Sequence, residues 1–222
     1  MTELLVIRHG ETDWNRQHRF QGQIDVPLNH IGLAQAERLG QRLADEQIDV
    51  LVCSDLQRAR STAEPLMRGR GLAAELQPLW REQGFGLLEG LDVPTIRSRH
   101  ADLWNRWVRH EADFALPQGG ESNALFHARV MRALASLLDA HAGRRVAVVT
   151  HGGVLDMLWR TVYALPLHGP RECDIPNTGI NRLQWKDGCL QIVRWGEAEH
   201  LAGLPEQPST AQTSRPAEAD QV

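Results

Sequence analysis

Apolar residues follow two different periodicities along this chain, and together they predict strands that alternate with helices. Residues 4–7, 49–53 and 145–150 contain short apolar runs rich in Val, Leu and Ile, and each run is expected to form a buried strand. A further strand, which lies between the last two of these in the chain, is predicted over residues 73–77. Between the first two strands, apolar residues recur at helical spacing over residues 31–46, which indicates an amphipathic helix.

Helices are predicted to follow the remaining strands as well. After the second strand, Ser54 or Asp55 is a natural N-cap for a helix that runs to about residue 67. The same spacing and capping signals predict further helices over residues 94–110, 122–141 and 152–163. Near the C-terminus, residues 180–185 and 189–195 flank an Asp-Gly turn and are expected to form a β-hairpin.

This alternation predicts an α/β fold with three α/β/α layers and a mostly parallel, doubly wound sheet. In such sheets ligands bind beyond the carboxyl ends of the strands. The length of 222 residues suits one catalytic domain, which we assign to residues 1–201. Residues 202–222 are rich in Pro, Ser, Thr, Glu and Gln, and we expect a disordered tail there.

Composition and charge exclude several classes of partner. The formal net charge is −4, so no global basic field attracts nucleic acid or an anionic membrane. Neither a leader segment nor an apolar stretch of membrane-spanning length is visible, and the three cysteines form no CxxC pair. A cytoplasmic protein with reduced thiols is therefore expected. Any bound anion must be held by a local cluster of cations.

Such a cluster is predicted where the strands end. Arg8 and His9 follow the first strand, His151 follows the strand over residues 145–150, and Arg58 lies at the start of the helix after the second strand. Guanidinium groups bind phosphate oxygens through two parallel hydrogen bonds, and a neutral imidazole nitrogen can attack phosphorus. Arginines can also supply the positive charge that a metal ion gives elsewhere. We therefore expect phosphoryl transfer with no metal ion and no cofactor.

The transfer also requires a proton donor for the leaving oxygen. Glu82 is the best-placed candidate, because it lies between a predicted strand end and a Gly-rich loop. Glu11 and Glu89 are rival candidates. The remaining histidines show no HxH or HExxH spacing, so the sequence does not predict a metal site.

The motifs resemble those of the histidine phosphatase superfamily, the phosphoglycerate mutase-like proteins. Residues 8–15 read RHGETDWN, similar to the RHGETxWN signature of that family. Four further blocks follow in family order and extend the resemblance from residue 4 to about residue 195. They comprise residues 54–63, Glu82 with Gly86, Glu89 and Gly90, residues 120–122 and residues 150–153; Leu88 departs from the family, where many relatives have Trp.

The resemblance implies a role for each candidate. His9 becomes the phosphohistidine, while Arg8, Arg58 and His151 hold the phosphate. Glu82 acts first as the acid for the leaving group and then as the base for water. The residues implied to line the pocket are Asn15, Gln21, Gly22 and the backbone of Gly152.

Three functions remain open at this point. The first is a phosphatase that acts on a small phosphorylated metabolite, as a monomer or homodimer. It is favoured because the segment between Glu82 and His151 is shorter than in the mutases of the family. A shorter segment suggests that water reaches the site. The second is a phosphoglycerate mutase. The third is a non-catalytic module that binds phosphorylated ligands, which would be expected to lack one of the reacting residues. The substrate is not determined by the sequence, although residues 91–119 are expected to cover the pocket.

Overall fold

A six-stranded sheet forms the centre of the protein in the computed structural model, which describes residues 1–109 and 111–208. Its spatial order is β3-β2-β4-β1-β5-β6; the first four strands run parallel, β5 pairs antiparallel with β1, and β6 pairs antiparallel with β5. The strands are β1 (Thr2–Arg8), β2 (Val50–Cys53), β3 (Ala74–Leu76), β4 (Arg145–Thr150), β5 (Ile180–Lys186) and β6 (Cys189–Glu197). This arrangement confirms the predicted mostly parallel sheet.

Helices cover both faces of the sheet. The described residues form α1 (Asp13–Arg16), α2 (His30–Arg42), α3 (Gln57–Met67), α4 (Val93–Arg99), α5 (Ala101–Val108), α6 (Asn123–Ala140) and α7 (Gly152–Val162). Leu4 and Val6 of β1 pack with residues of α6 and α7, whereas Leu5 and Ile7 pack with residues of α2 and α3. Successive side chains of a strand point to opposite faces, so one apolar run supplies two cores. The predicted three-layer α/β fold is confirmed.

The strand pairing brings the candidate chemistry to one edge of the sheet. In the parallel ladder Arg8 lies opposite Thr150, and Cys53 lies opposite Val149. The residues that follow these strands therefore emerge side by side at the carboxyl edge. They are His9, Ser54 and His151.

Some local predictions were wrong. Neither Ser54 nor Asp55 caps α3, whose N-cap is Leu56 without a side-chain hydrogen bond. Both side chains have other partners, since Ser54 bonds to His151 and the Asp55 carboxylate accepts from Arg81. The helix expected over residues 94–110 is two helices, because His100 departs from helical backbone angles, with φ −135° and ψ 43°. Its predicted last residue, 110, lies outside the described residues.

The C-terminal region contains the predicted hairpin, in which β5 and β6 pair antiparallel. The first part of the predicted tail contacts the domain: the Gln207 side chain accepts from the Asn177 backbone N–H at 2.6 Å and donates to the Asn177 carbonyl oxygen at 3.1 Å. The rest of that tail, residues 209–222, lies outside the described residues. None of the helices within residues 1–109 and 111–208 has the length and apolar character needed to cross a lipid bilayer.

Candidate active site

A cavity opens at the carboxyl edge of the sheet, and the predicted site residues surround it. His151 is fully buried, and its ring centroid lies 5.2 Å from that of His9. The other predicted residues all line the cavity: Arg8, His9, Asn15, Gln21, Gly22, Arg58, Glu82 and Gly152. The topology therefore brings together side chains that are far apart in the chain.

His9 is held as a neutral imidazole with one defined free nitrogen. Its Nδ1–H donates to the carbonyl oxygen of Gly10 at 2.7 Å, which leaves the lone pair on Nε2. Burial, followed by the nearby charges of Arg58 and Arg8, lowers the pKa of His9 well below its ordinary value. At neutral pH the ring therefore carries an available lone pair.

His151 is neutral for similar reasons. Burial lowers its pKa well below the ordinary value, and the charge of Arg58 adds to the effect. Nε2 is hydrogen-bonded to the hydroxyl of Ser54 at 2.8 Å, whereas Nδ1 has no partner among the described residues. The bond to Ser54 fixes the orientation of the ring beside His9.

Two buried guanidinium groups supply positive charge. Arg8 Nη1 donates to the Ile175 carbonyl oxygen at 2.6 Å, and Arg58 donates to the carbonyl oxygens of Ile24 and Gly22 at 2.9 and 2.7 Å. Burial lowers the pKa of each arginine to about 10, so both remain protonated at neutral pH. The Nε atoms of both are buried and find no acceptor among the described residues. Such donors favour an anionic ligand in the cavity.

Glu82 is the candidate acid that the cavity contains. Both of its carboxylate oxygens accept from the Gly153 N–H at 3.1 Å, and one also accepts from the Gln83 N–H at 2.8 Å. The rival Glu11 is fully buried in an ion pair with Arg16 at 2.6 Å. The rival Glu89 accepts from the backbone N–H groups of Gln23 and Phe85. Glu82 is thus the one glutamate of the three that lines the cavity.

Two glycines shape the cavity backbone. Gly22 has φ +51°, and a Cβ there would overlap the Glu89 carboxylate. It also presents its carbonyl oxygen to Arg58 at 2.7 Å. Gly152 is the first residue of α7, where N–H groups without partners inside the helix and the helix dipole favour negative charge. Gly22 thus helps to hold Arg58, and Gly152 places the N-terminus of α7 beside Arg8.

Asn15 and Gln21 contribute polar groups to the same cavity. The Asn15 side-chain oxygen accepts from the Thr12 N–H at 3.0 Å, so part of its hydrogen-bonding capacity is used to cap α1. The Gln21 side-chain oxygen is buried and has no partner among the described residues. These two amides offer donors and acceptors near the arginines.

Aromatic side chains form one wall of the cavity. Trp107 packs edge-on against Phe20, with a centroid distance of 4.8 Å, and against Phe85 at 6.4 Å. Trp107 comes from the segment expected to cover the pocket, and it both lines the cavity and packs in a buried cluster. Its neighbour Trp104 packs on it at 5.4 Å. The aromatic wall gives the site an apolar side.

Sequence reasoning missed two charged residues that line the cavity, Arg19 and Arg171. Arg171 lines the cavity, although its side chain is only 4% exposed. It lies on the connection between α7 and β5, in a segment with neither a recognised motif nor a periodic pattern. Its proximity to the candidates depends on the path of that connection, which local sequence signals do not specify.

Comparisons with known proteins identify the family of this chain. A sequence model of the histidine phosphatase superfamily (branch 1) matches residues 4–198. Phosphoglycerate mutase-like protein 4 of Arabidopsis thaliana is 35% identical over 203 residues, covering 90% of this chain and 86% of that protein. The metal-independent phosphoserine phosphatase of the same plant is 34% identical over 206 residues, covering 92% and 85%.

A solved structure gives the same answer at the level of the fold. The YhfR protein of Bacillus stearothermophilus superposes with a TM-score of 0.83 at 30% identity, covering 90% of this chain and 100% of that chain. The names of the relatives are those of phosphatases and phosphoglycerate mutases, which agrees with the predicted class of phosphoric monoester hydrolase. This chain therefore belongs to the histidine phosphatase superfamily.

Proposed function

We propose that this protein is a metal-independent phosphatase that hydrolyses a small phosphomonoester through a phosphohistidine on His9. The observation that carries the proposal is the orientation of His9, whose Nε2 lone pair is left free by the Nδ1–H bond to Gly10. Two buried guanidinium groups and one carboxyl group share its cavity. The name of the phosphoserine phosphatase relative supports the absence of a metal requirement.

In the first half of the reaction, Nε2 of His9 attacks phosphorus while the bond from phosphorus to the ester oxygen breaks. Glu82 in its protonated form gives its proton to the departing oxygen, so the alcohol leaves neutral. The phosphoryl group then resides on His9. Arg8 and Arg58 stabilise the charge on the phosphoryl oxygens during the transfer, which is the task that a metal ion performs in other enzymes.

In the second half, water attacks the phosphohistidine and the nitrogen–phosphorus bond breaks. The Glu82 carboxylate takes a proton from the attacking water, and inorganic phosphate is released. Glu82 is then protonated again and His9 is again neutral, so the cycle closes without any cofactor. The fixed ring of His151 and the N-terminus of α7 stabilise the phosphate on its other side.

A phosphoglycerate mutase is the second candidate, favoured by the name of the relative that is 35% identical. In that reaction the phosphoryl group on His9 returns to a bound intermediate instead of passing to water. Mutase turnover would need priming by a bisphosphoglycerate. Hydrolysis of phosphomonoesters without a primer would support the phosphatase, and strict dependence on a primer would support the mutase.

The decisive experiment is trapping of the intermediate in the presence of EDTA. Enzyme mixed with a ³²P-labelled phosphomonoester and quenched in alkali should carry label that is stable to base and labile to acid, as expected for phosphohistidine. The His9→Ala variant should carry no label and lose turnover by more than about 10³-fold. His30→Ala is a matched control, because His30 is exposed on α2.

Two results would contradict the proposal. Turnover by His9→Ala at the wild-type rate would exclude a covalent intermediate on His9. Loss of wild-type turnover in EDTA, with recovery after adding a divalent metal, would exclude the metal-independent mechanism.

A further inference from the structure

We propose that Arg171 binds a second anionic group of the substrate, a carboxylate or a second phosphate, and so selects phosphomonoesters with two separate negative charges. The proposal rests on the phosphatase function proposed above. It assigns to the cavity a subsite beside the one for the transferred phosphoryl group.

The position of Arg171 is the first support. Its side chain lines the cavity and is 4% exposed. A Cβ atom at Gly152 would lie 3.5 Å from Arg8 Nε and 3.7 Å from Arg171 Nη1. The two guanidinium groups therefore face the same end of α7, and Arg171 is next to the phosphate site.

The charge of Arg171 is only partly balanced within the protein. Its Nε is buried and has no hydrogen-bond partner among the described residues. The nearest carboxylate oxygen, Asp156 Oδ1, lies at 3.8 Å, which is too long for a hydrogen bond. The other oxygen of Asp156 accepts from Arg160 at 3.1 Å. One carboxylate is thus shared by two guanidinium groups, and the surplus positive charge faces the cavity.

The segment before Arg171 is fixed by an unusual set of contacts. The side chain of Arg160 is 5% exposed and donates to four carbonyl groups of this segment. The acceptors are the carbonyl oxygens of Pro166, His168, Gly169 and Pro170, at 2.6–3.1 Å. A buried guanidinium group whose three nitrogens all donate hydrogen bonds holds the loop in one conformation. Arg171 is therefore presented to the cavity in a defined position, as a specificity residue requires.

Arg171 interacts electrostatically with Arg8. Arg58 and Arg8 both lower the pKa values of His9 and His151. Arg171 instead acts on Arg8, where it is the largest charge that lowers the pKa. In this proposal the second anion binds at Arg171, beside the phosphoryl group that His9 attacks, because Arg8 and Arg171 both lie next to Gly152.

Matched substrates test the proposal, because they differ only in the second charge. 3-Phosphoglycerate and glycerol 3-phosphate differ by a carboxylate in place of a hydroxymethyl group. Phosphoserine and phosphoethanolamine differ by the presence of a carboxylate. Fructose 1,6-bisphosphate and fructose 6-phosphate differ by a second phosphate. We expect kcat/KM of the wild type to favour the doubly anionic member of a carboxylate or bisphosphate pair by about 10- to 100-fold.

The Arg171→Gln variant should remove this preference by lowering kcat/KM for the doubly anionic substrate alone. Arg171→Lys should restore part of it, since the charge is kept but the planar fork is lost. The matched control is Arg144→Gln, because Arg144 is exposed just before β4, at the opposite edge of the sheet. Retained turnover of glycerol 3-phosphate would show that Arg171→Gln is folded.

Binding to the His9→Ala variant gives a readout that is independent of turnover. Calorimetry should show tighter binding of 3-phosphoglycerate than of glycerol 3-phosphate, and Arg171→Gln in the same background should equalise the two. Equal affinity in His9→Ala and equal kcat/KM in the wild type for every pair would overturn the proposal. So would an equal loss on both members of each pair in Arg171→Gln, which would assign Arg171 to the transferred phosphate. Failure of the phosphatase function would instead appear as absent turnover with the binding preference unchanged.

Discussion

At the scale of single residues, the site depends on which atoms of each side chain are already hydrogen-bonded within the protein. The bond from His9 Nδ1–H to the Gly10 carbonyl oxygen selects one tautomer, and the free Nε2 follows from it. Arg8 and Arg58 use some donors on backbone carbonyls and leave Nε without an acceptor among the described residues. The protein contacts orient these groups before any ligand binds, so little reorganisation is needed in the transition state.

The role of Glu82 leads to a prediction about leaving groups. In Glu82→Gln, the rate of phosphoryl transfer from an alkyl phosphomonoester should fall by about 10²- to 10⁴-fold, because an alkoxide cannot leave without a proton. p-Nitrophenolate leaves without one. Rapid mixing with p-nitrophenyl phosphate should therefore give a burst of p-nitrophenolate at near the wild-type rate, followed by slow turnover, since activation of water is also impaired.

The control for this prediction is Glu75→Gln, which removes a glutamate that is half-exposed on β3. It should behave as the wild type with both substrates. An equal loss in the burst phase and with the alkyl substrate in Glu82→Gln would contradict the role of proton donor.

At the scale of elements, the N-terminus of α7 does two tasks. Gly152 faces the guanidinium groups, and the Gly153 N–H holds the carboxylate of Glu82. A Cβ at Gly153 would overlap Glu82 Oε1 and approach Phe126 Cε1 to 3.0 Å. Glycine at this position thus allows the acid to rest against the helix end.

Gly153→Ala should displace Glu82 and lower kcat for alkyl phosphomonoesters by about 10- to 100-fold. The Tm should fall only slightly, because alanine is favoured over glycine within a helix and this preference offsets part of the strain at Phe126. Gly84→Ala is the matched control: it lies near the same cavity, and a Cβ there meets no atom closer than 3.5 Å. Wild-type kcat in Gly153→Ala would contradict the positioning of Glu82 by this helix end.

The helices and strands also show which features of the fold the sequence could predict. The apolar runs of β1 and β4 and the polar residues after them indicated both the strands and the edge at which His9 and His151 meet, since parallel strands end together. Caps and breaks were less predictable. Ser54 lies two residues before the N-cap of α3, and its hydroxyl bonds to His151, a residue distant in the chain. Arg171 reaches the cavity through a loop fixed by Arg160, a contact with no periodic signal.

At the scale of the whole molecule, the carboxyl edge of the sheet concentrates positive charge in a protein whose formal net charge is −4. Arg8, Arg58 and Arg171 are buried together, whereas Glu82 is the one of the three candidate glutamates that lines their cavity. Burying unbalanced like charges costs stability. The fold therefore holds two imidazoles in their neutral form beside these cations, and the free energy of unfolding becomes sensitive to pH.

The direction of that sensitivity follows from the lowered pKa values of His9 and His151. Below about pH 6.5 the unfolded chain protonates both rings while the native protein keeps them neutral, so the free energy of unfolding falls as the pH falls. The two rings together should contribute a slope of up to about 2.7 kcal/mol per pH unit between about pH 6.5 and about pH 5. Urea unfolding across this range measures the slope. In His9→Asn it should be shallower by about 1.4 kcal/mol per pH unit, and an unchanged slope would show that His9 is protonated in the native protein.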